Sequence, residues 1–151
     1  MSNRMENSPL PTLPDPIKSL IFWGVVLFWL LAFTATHVPS YSHSSTGGSR
    51  LPIDKIVHFT MYACLATGLL LILWTRTTVS LKTCLAVFLC LACYGAVDEL
   101  TQSFIPGRYA DLYDWYADCI GTIVGISFSL GAFKILSVIN RKTPKVELNR
   151  S

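Results

Sequence analysis

The chain has 151 residues, of which 52% are hydrophobic and 14% charged, with a formal net charge of +3 and a mean hydropathy of +0.48. A soluble domain carries about 25% charged residues, so the composition excludes an ordinary soluble enzyme and a disordered chain. So small a net charge also gives no reason to expect a nucleic-acid partner. The length suits one domain, and a domain with so little polar surface implies that lipid is the solvent.

Residues 1–16 contain Pro9, Pro11, Pro14 and Pro16 and read as a flexible tail. The first apolar stretch runs from Ile17 to Val38. It is longer than a signal-peptide core of about 7–15 residues and lacks an A-x-A site, so it reads as a retained span. Gly47, Gly48 and the serines around them mark an irregular loop, in which His37 and His43 are expected to be mobile and solvated. The second stretch is Ile56–Trp74 with a polar lead-in from Asp54; the third is Val79–Val97; the fourth is Trp115–Ile139, followed by a basic tail at 140–151. Each is near the ~20 residues that cross a bilayer as a helix. No stretch alternates with period two, which argues against a β-barrel, and backbone groups in hydrocarbon must bond internally. The expected fold is therefore all-α: a polytopic membrane protein whose domain, residues 17–139, is a bundle of four transmembrane helices. The cysteines Cys64, Cys84, Cys90, Cys93 and Cys119 all fall in spans, fit no disulfide framework and are expected to be buried small hydrophobes.

Orientation follows from Lys and Arg in the short flanks. Arg4, Lys18, Arg76, Lys82, Lys134, Arg141, Lys142, Lys145 and Arg150 lie on one side of such a bundle, and Arg50, Lys55 and Arg108 on the other. Both termini are thus expected in the cytoplasm, with the protein in the cytoplasmic (inner) membrane. Asp54, Asp98, Glu99, Asp111, Asp114 and Asp118 then face outside.

This topology carries three polar segments to one membrane face. Asp54, Lys55 and His58 begin span two there, Asp98, Glu99 and Gln102 end span three, and Asp114 and Asp118 begin span four. The pairs Asp54/His58 and Asp114/Asp118 are i, i+4 and share helix faces. Asp118 continues along a face with Gly121 and Gly125, a G-x-x-x-G that lets a neighbouring helix approach. Pro106-Gly107 suits a type II turn, which would lay Arg108 near the acids on either side. Tyr109, Tyr113, Trp115 and Tyr116 read as interfacial anchors. Tyr62, one turn past His58, reads as a packed aromatic.

The same residues carry a family resemblance. Asp54-Lys55-Ile56-Val57-His58-Phe59 resembles the D-K-x-x-H-F start of VanZ-like membrane proteins. Asp98 to Arg108 resembles that family's D/E-E-x-x-Q-x-F-x-P-G-R segment, and Asp114 to Gly121 its D-x-x-A-[ND]-x-x-G segment. The order and spacing match from about Asp54 to Gly125, and the combined pattern is far more specific than any one piece. The resemblance implies a small polytopic membrane protein. The family's namesake is linked to low-level resistance to the glycopeptide teicoplanin, and its molecular mechanism is not established.

Three functions fit these residues. In the first, the outer cluster of Asp54, Lys55, His58, Glu99, Gln102, Arg108, Asp114 and Asp118 binds a membrane lipid headgroup, a lipid-linked envelope intermediate or a glycopeptide. In the second it is an outer-leaflet enzyme, with His58, Glu99 and Asp118 as candidates for acid–base work. A divalent metal on Asp54, His58, Glu99 and Asp118 belongs to that second reading. No nucleophile motif or H-E-x-x-H is present, and no motif commits the chain to a metal or cofactor. In the third, the cluster pins helix ends as an ion-pair network.

Overall fold

The computed structural model describes residues 13–37 and 52–142. The apolar stretches become helices α1 (Asp15–Thr36), α2 (Pro52–Trp74), α3 (Leu81–Gln102) and α4 (Leu112–Lys142), with no strand among the described residues. All of these helices are long and apolar enough to cross a membrane. The chain is a multi-pass membrane protein, and large apolar side chains such as Leu20, Trp23, Leu31, Leu85 and Phe128 cover its outside.

Local chemistry shifts the span boundaries from those expected. Pro at the first helical turn is tolerated because its missing N–H would have no partner there. Pro16 therefore lies inside α1, which starts at Asp15 rather than after residue 16. α3 starts later than Val79, because the Ser80 hydroxyl accepts from the Thr83 N–H while the Thr83 hydroxyl accepts from the Ser80 N–H. That reciprocal cap satisfies two N–H groups the helix cannot. α3 also runs five residues past Val97, so Asp98, Glu99 and Gln102 form its last turns, as expected of residues that end the span. α4 begins at Leu112 because Asp111 stands before it and accepts from the Tyr113 N–H, and it extends into the basic stretch expected as a tail. The C-terminal residues 143–151, like residues 1–12 and the loop that holds His43, lie outside the described residues.

α2 is the central element, and its longest seam is with α4. The expected G-x-x-x-G makes that seam. A Cβ at Gly121 would collide with the Phe59 carbonyl of α2, and one at Gly125 with the Ala63 carbonyl. Backbone therefore lies against backbone, which is what small residues allow in a membrane, where no hydrophobic force pulls helices together. Thr67 of α2 donates to the Ala63 carbonyl at 2.8 Å and lies 3.4 Å from the Gly125 carbonyl. Trp115 of α4 donates to the Ala92 carbonyl of α3 at 2.9 Å. α1 is peripheral: Thr36 is its sole buried residue.

The core divides along the bundle. Toward the end where α2 finishes, Leu70, Trp74, Val79, Cys84, Val87 and Phe133 are buried together, with Trp74 stacked on Phe133 at 3.9 Å. Toward the other end the buried side chains are polar: His58, Asp98, Glu99, Gln102, Asp114 and Asp118. Tyr62 lies between, packed against Tyr94 at 6.0 Å as a core aromatic. The cysteines depart from expectation. Cys84 and Cys119 are buried, but Cys64, Cys90 and Cys93 are exposed on the outer sides of α2 and α3. In a membrane protein an apolar thiol is as much at home against lipid as in the core, so position in a span does not foretell burial.

Candidate functional site

The polar end is built from three helix ends and the turn between α3 and α4. The turn is tight. Gly107 has φ 81°, a left-handed conformation that glycine adopts without strain, and the Arg108 N–H closes onto the Ile105 carbonyl at 3.0 Å. This matches the type II turn expected of Pro-Gly. It brings α4 back beside α3 and sets Arg108 at the mouth.

The side chains form a half-exposed rim over a buried floor. In the rim, Lys55 of α2 donates to Asp111 at 2.9 Å and to Asp114 at 2.8 Å. Its ammonium also lies 5.7 Å from the centre of the Tyr113 ring. Arg108 pairs with Asp54 at 3.6 Å. Arg108 was expected near the acids of spans three and four; its partner is instead on α2, because the turn projects it across the mouth.

The floor is nearly closed to solvent: relative exposure is 1% for His58, 5% for Glu99, 2% for Asp114 and 0% for Asp118. His58 Nδ1 lies 3.0 Å from Asp118 Oδ1 and 3.7 Å from Glu99 Oε1. Glu99 is oriented by its other oxygen, Oε2, which accepts from the Asp111 N–H at 2.8 Å. Space for Asp118 comes from Gly95 on α3, where a Cβ would stand 2.9 Å from Asp118 Oδ2.

The eight expected site residues thus gather at one end, but not as the spacing alone suggests. Asp54 and His58 share a face of α2 yet serve different levels, one on Arg108 and one on Asp118. Gln102 was grouped with Glu99; its amide instead donates to Asp98 Oδ2 at 2.9 Å, one turn back on α3. Asp98, expected at this face but not among those eight, therefore joins them through Gln102, and the i, i+4 spacing of the two was the available signal. Asp111 belongs as well. It caps α4, binds Lys55 and positions Glu99, roles that the position before a helix start could have indicated.

The clearest correction is His37, expected to be mobile and solvated. It closes the end of α1, stacks on Phe33 at 3.9 Å and lies 3.0 Å from the Thr101 hydroxyl of α3. Its Nδ1 is 3.9 Å from Asp98. The contact spans 64 residues of sequence, so no local pattern announces it.

Several buried atoms at this end have no hydrogen-bond partner among the described residues: His58 Nε2, Asp98 Oδ1, Glu99 Oε1 and Asp118 Oδ2. Buried polar atoms are nearly always satisfied, so four together mark hydrogen-bonding capacity that the described residues leave unused. The metal candidates are also regrouped. His58, Glu99 and Asp114 each offer a ligand atom within 4.8 Å of the others, whereas Asp54 is held at the rim.

A family model described as VanZ/LLP1 matches residues 16–136. The match takes in α1 and most of α4 as well as the motif-bearing segments. Searches of curated proteins and of solved structures each returned no match.

Proposed function

The chain belongs to the VanZ/LLP1 family, and from that premise we propose that it holds a lipid or lipid-linked envelope intermediate by its headgroup at the polar end of the bundle. The asymmetry of basic residues between the two faces supports an orientation with both termini in the cytoplasm and the polar end toward the outer leaflet of the inner membrane.

The observation that carries the reading is the set of unpartnered acceptors on the floor. A network whose only task was to pin helices would satisfy its own atoms, since each one left unpaired in the interior costs about 1–3 kcal/mol. The chemistry of the rim narrows the ligand. Among the described residues, six acids (Asp54, Asp98, Glu99, Asp111, Asp114 and Asp118) face two fixed cations, Lys55 and Arg108. Lys55 is held by two carboxylates and Arg108 pairs with a third. A bare phosphate would meet net negative charge, whereas a headgroup rich in donors, such as sugar hydroxyls or an ammonium, matches the free acceptors. A sugar-bearing glycopeptide falls in the same class.

A second reading is favoured by His58. Its Nδ1 faces Asp118 while Nε2 has no partner among the described residues, an arrangement that orients an imidazole as a general base. On that reading the bound lipid is a substrate at the outer leaflet.

Both are tested on the purified chain by native mass spectrometry with phosphatidylethanolamine, phosphatidylglycerol and a neutral glycolipid of matched acyl chains. The two headgroups that bring donors without net negative charge, the ethanolamine ammonium and the sugar, are expected to be retained several-fold more than anionic phosphatidylglycerol, with new product masses appearing only if the second reading holds. Equal retention of all three would refute the headgroup reading.

A further inference from the structure

The floor of the polar end has a geometry that headgroup binding alone does not require. One nitrogen-bearing and two carboxylate side chains converge there, one from each of three helices: His58 from α2, Glu99 from α3 and Asp114 from α4. Their ligand atoms lie within 4.8 Å of one another, and all three residues are buried. We propose that His58, Glu99 and Asp114 form a divalent-cation site, with Asp118 orienting the imidazole.

The convergence is more than a group of acids. Glu99 has its Oε2 fixed by the Asp111 N–H at 2.8 Å. That leaves Oε1, which has no hydrogen-bond partner among the described residues, beside the imidazole at 3.7 Å from His58 Nδ1. Asp118 holds that same Nδ1 at 3.0 Å, so the nitrogen left for a cation is Nε2, which has no hydrogen-bond partner among the described residues. A carboxylate behind a metal-bound imidazole fixes the ring and makes it a better donor, and it is the usual second partner of a ligating histidine.

Charge supports the same conclusion. Glu99 and Asp118 are buried with no Lys or Arg partner among the described residues, and a buried carboxylate without compensation is costly. Asp114 is shared with Lys55 at 2.8 Å, whose ammonium answers one charge of the group and leaves the rest. A doubly charged cation between the three helices would offset it.

The donor set selects the ion. One imidazole and two carboxylates, with no thiolate, suit zinc or manganese rather than copper(I); calcium and magnesium favour all-oxygen sites. Three protein ligands leave coordination positions open, and the mouth above them is where the headgroup would enter. The cation site shares that mouth with the headgroup reading, and its existence does not depend on which headgroup binds.

The test uses the full chain in lipid-free detergent, stripped with chelator and titrated with manganese by electron paramagnetic resonance and with zinc by calorimetry. About one equivalent of either ion is expected. Glu99→Gln and His58→Gln should each weaken binding at least tenfold while circular dichroism and elution volume stay unchanged, and Cys90→Ser should bind as wild type. Lys55→Met should strengthen binding, because the ammonium competes for Asp114; no ordinary helix-pinning role predicts a gain. Should one ligand variant fail to fold, Asp114→Asn and Lys55→Met decide the matter. Substoichiometric binding by folded wild type, or binding unaffected by these substitutions, overturns the site. The headgroup panel, run beside the metal titrations, separates the two ideas: headgroup selectivity by a folded chain that takes up no titrated metal overturns this proposal alone, and stoichiometric metal binding without headgroup selectivity overturns the headgroup reading alone.

Discussion

At one end of α2, Trp74 stacks on Phe133 in a core of Leu70, Val79, Cys84 and Val87. At the other end of the same helix, His58 lies among the carboxylates of Glu99, Asp114 and Asp118. The first end is close to self-sufficient: among the described residues, Trp74 Nε1 is the buried polar side-chain atom without a hydrogen-bond partner there. The second leaves four such atoms, on His58, Asp98, Glu99 and Asp118. Both ends are buried, so burial does not separate them; what separates them is whether the side chains complete one another. The apolar end and the Gly121–Gly125 seam hold the bundle together. The polar end is carried by that scaffold, and among the described residues it leaves hydrogen-bonding capacity unused.

The comparison breaks if the scaffold can be damaged without effect. Trp74→Ala removes the largest fully buried side chain and should cost about 3–5 kcal/mol. Gly121→Val forces a side chain against the Phe59 carbonyl, and here the obstacle is backbone, which cannot turn aside. Both should lower the midpoint of thermal unfolding in detergent by many degrees. A midpoint within a degree or two of wild type would mean that the seam does not hold the bundle.

A much smaller effect is expected at the rim. Asp54 is 30% exposed and pairs with Arg108 at 3.6 Å, so Asp54→Asn should cost at most about 1 kcal/mol. A loss comparable to that of Trp74→Ala, read by the same melt, would assign the rim a structural role and erase the contrast between the ends.

Much of the scaffold was legible in the sequence because membrane constraints act locally. A run of about 20 apolar residues must become a helix, and the expected spans differ from the helices by a few residues at their ends. The G-x-x-x-G and the Pro-Gly turn were legible for the same reason, since each is a local geometric requirement. That the polar segments share one end followed from topology alone. Which residue meets which did not. The Lys55 link to Asp111 and Asp114 and the docking of His37 on Thr101 join positions more than 50 residues apart. They depend on how the helices rotate against each other, which the spacing within one helix leaves open. The exposed Cys64, Cys90 and Cys93 make the same point from the apolar side: in lipid, hydrophobic character does not tell inward from outward.

The central claim is that the polar end is kept for a ligand rather than for stability. Glu99→Gln tests it most directly, because the substitution preserves shape and the amide can still accept from the Asp111 N–H, while the charge facing His58 is removed. The decisive measurement is headgroup retention by native mass spectrometry on wild type and Glu99→Gln, with the thermal midpoint of each recorded on the same preparations. The account predicts a variant at least as stable as wild type that has lost its preference for donor-rich headgroups. A variant that keeps the preference, or loses it only together with several kcal/mol of stability, would contradict it.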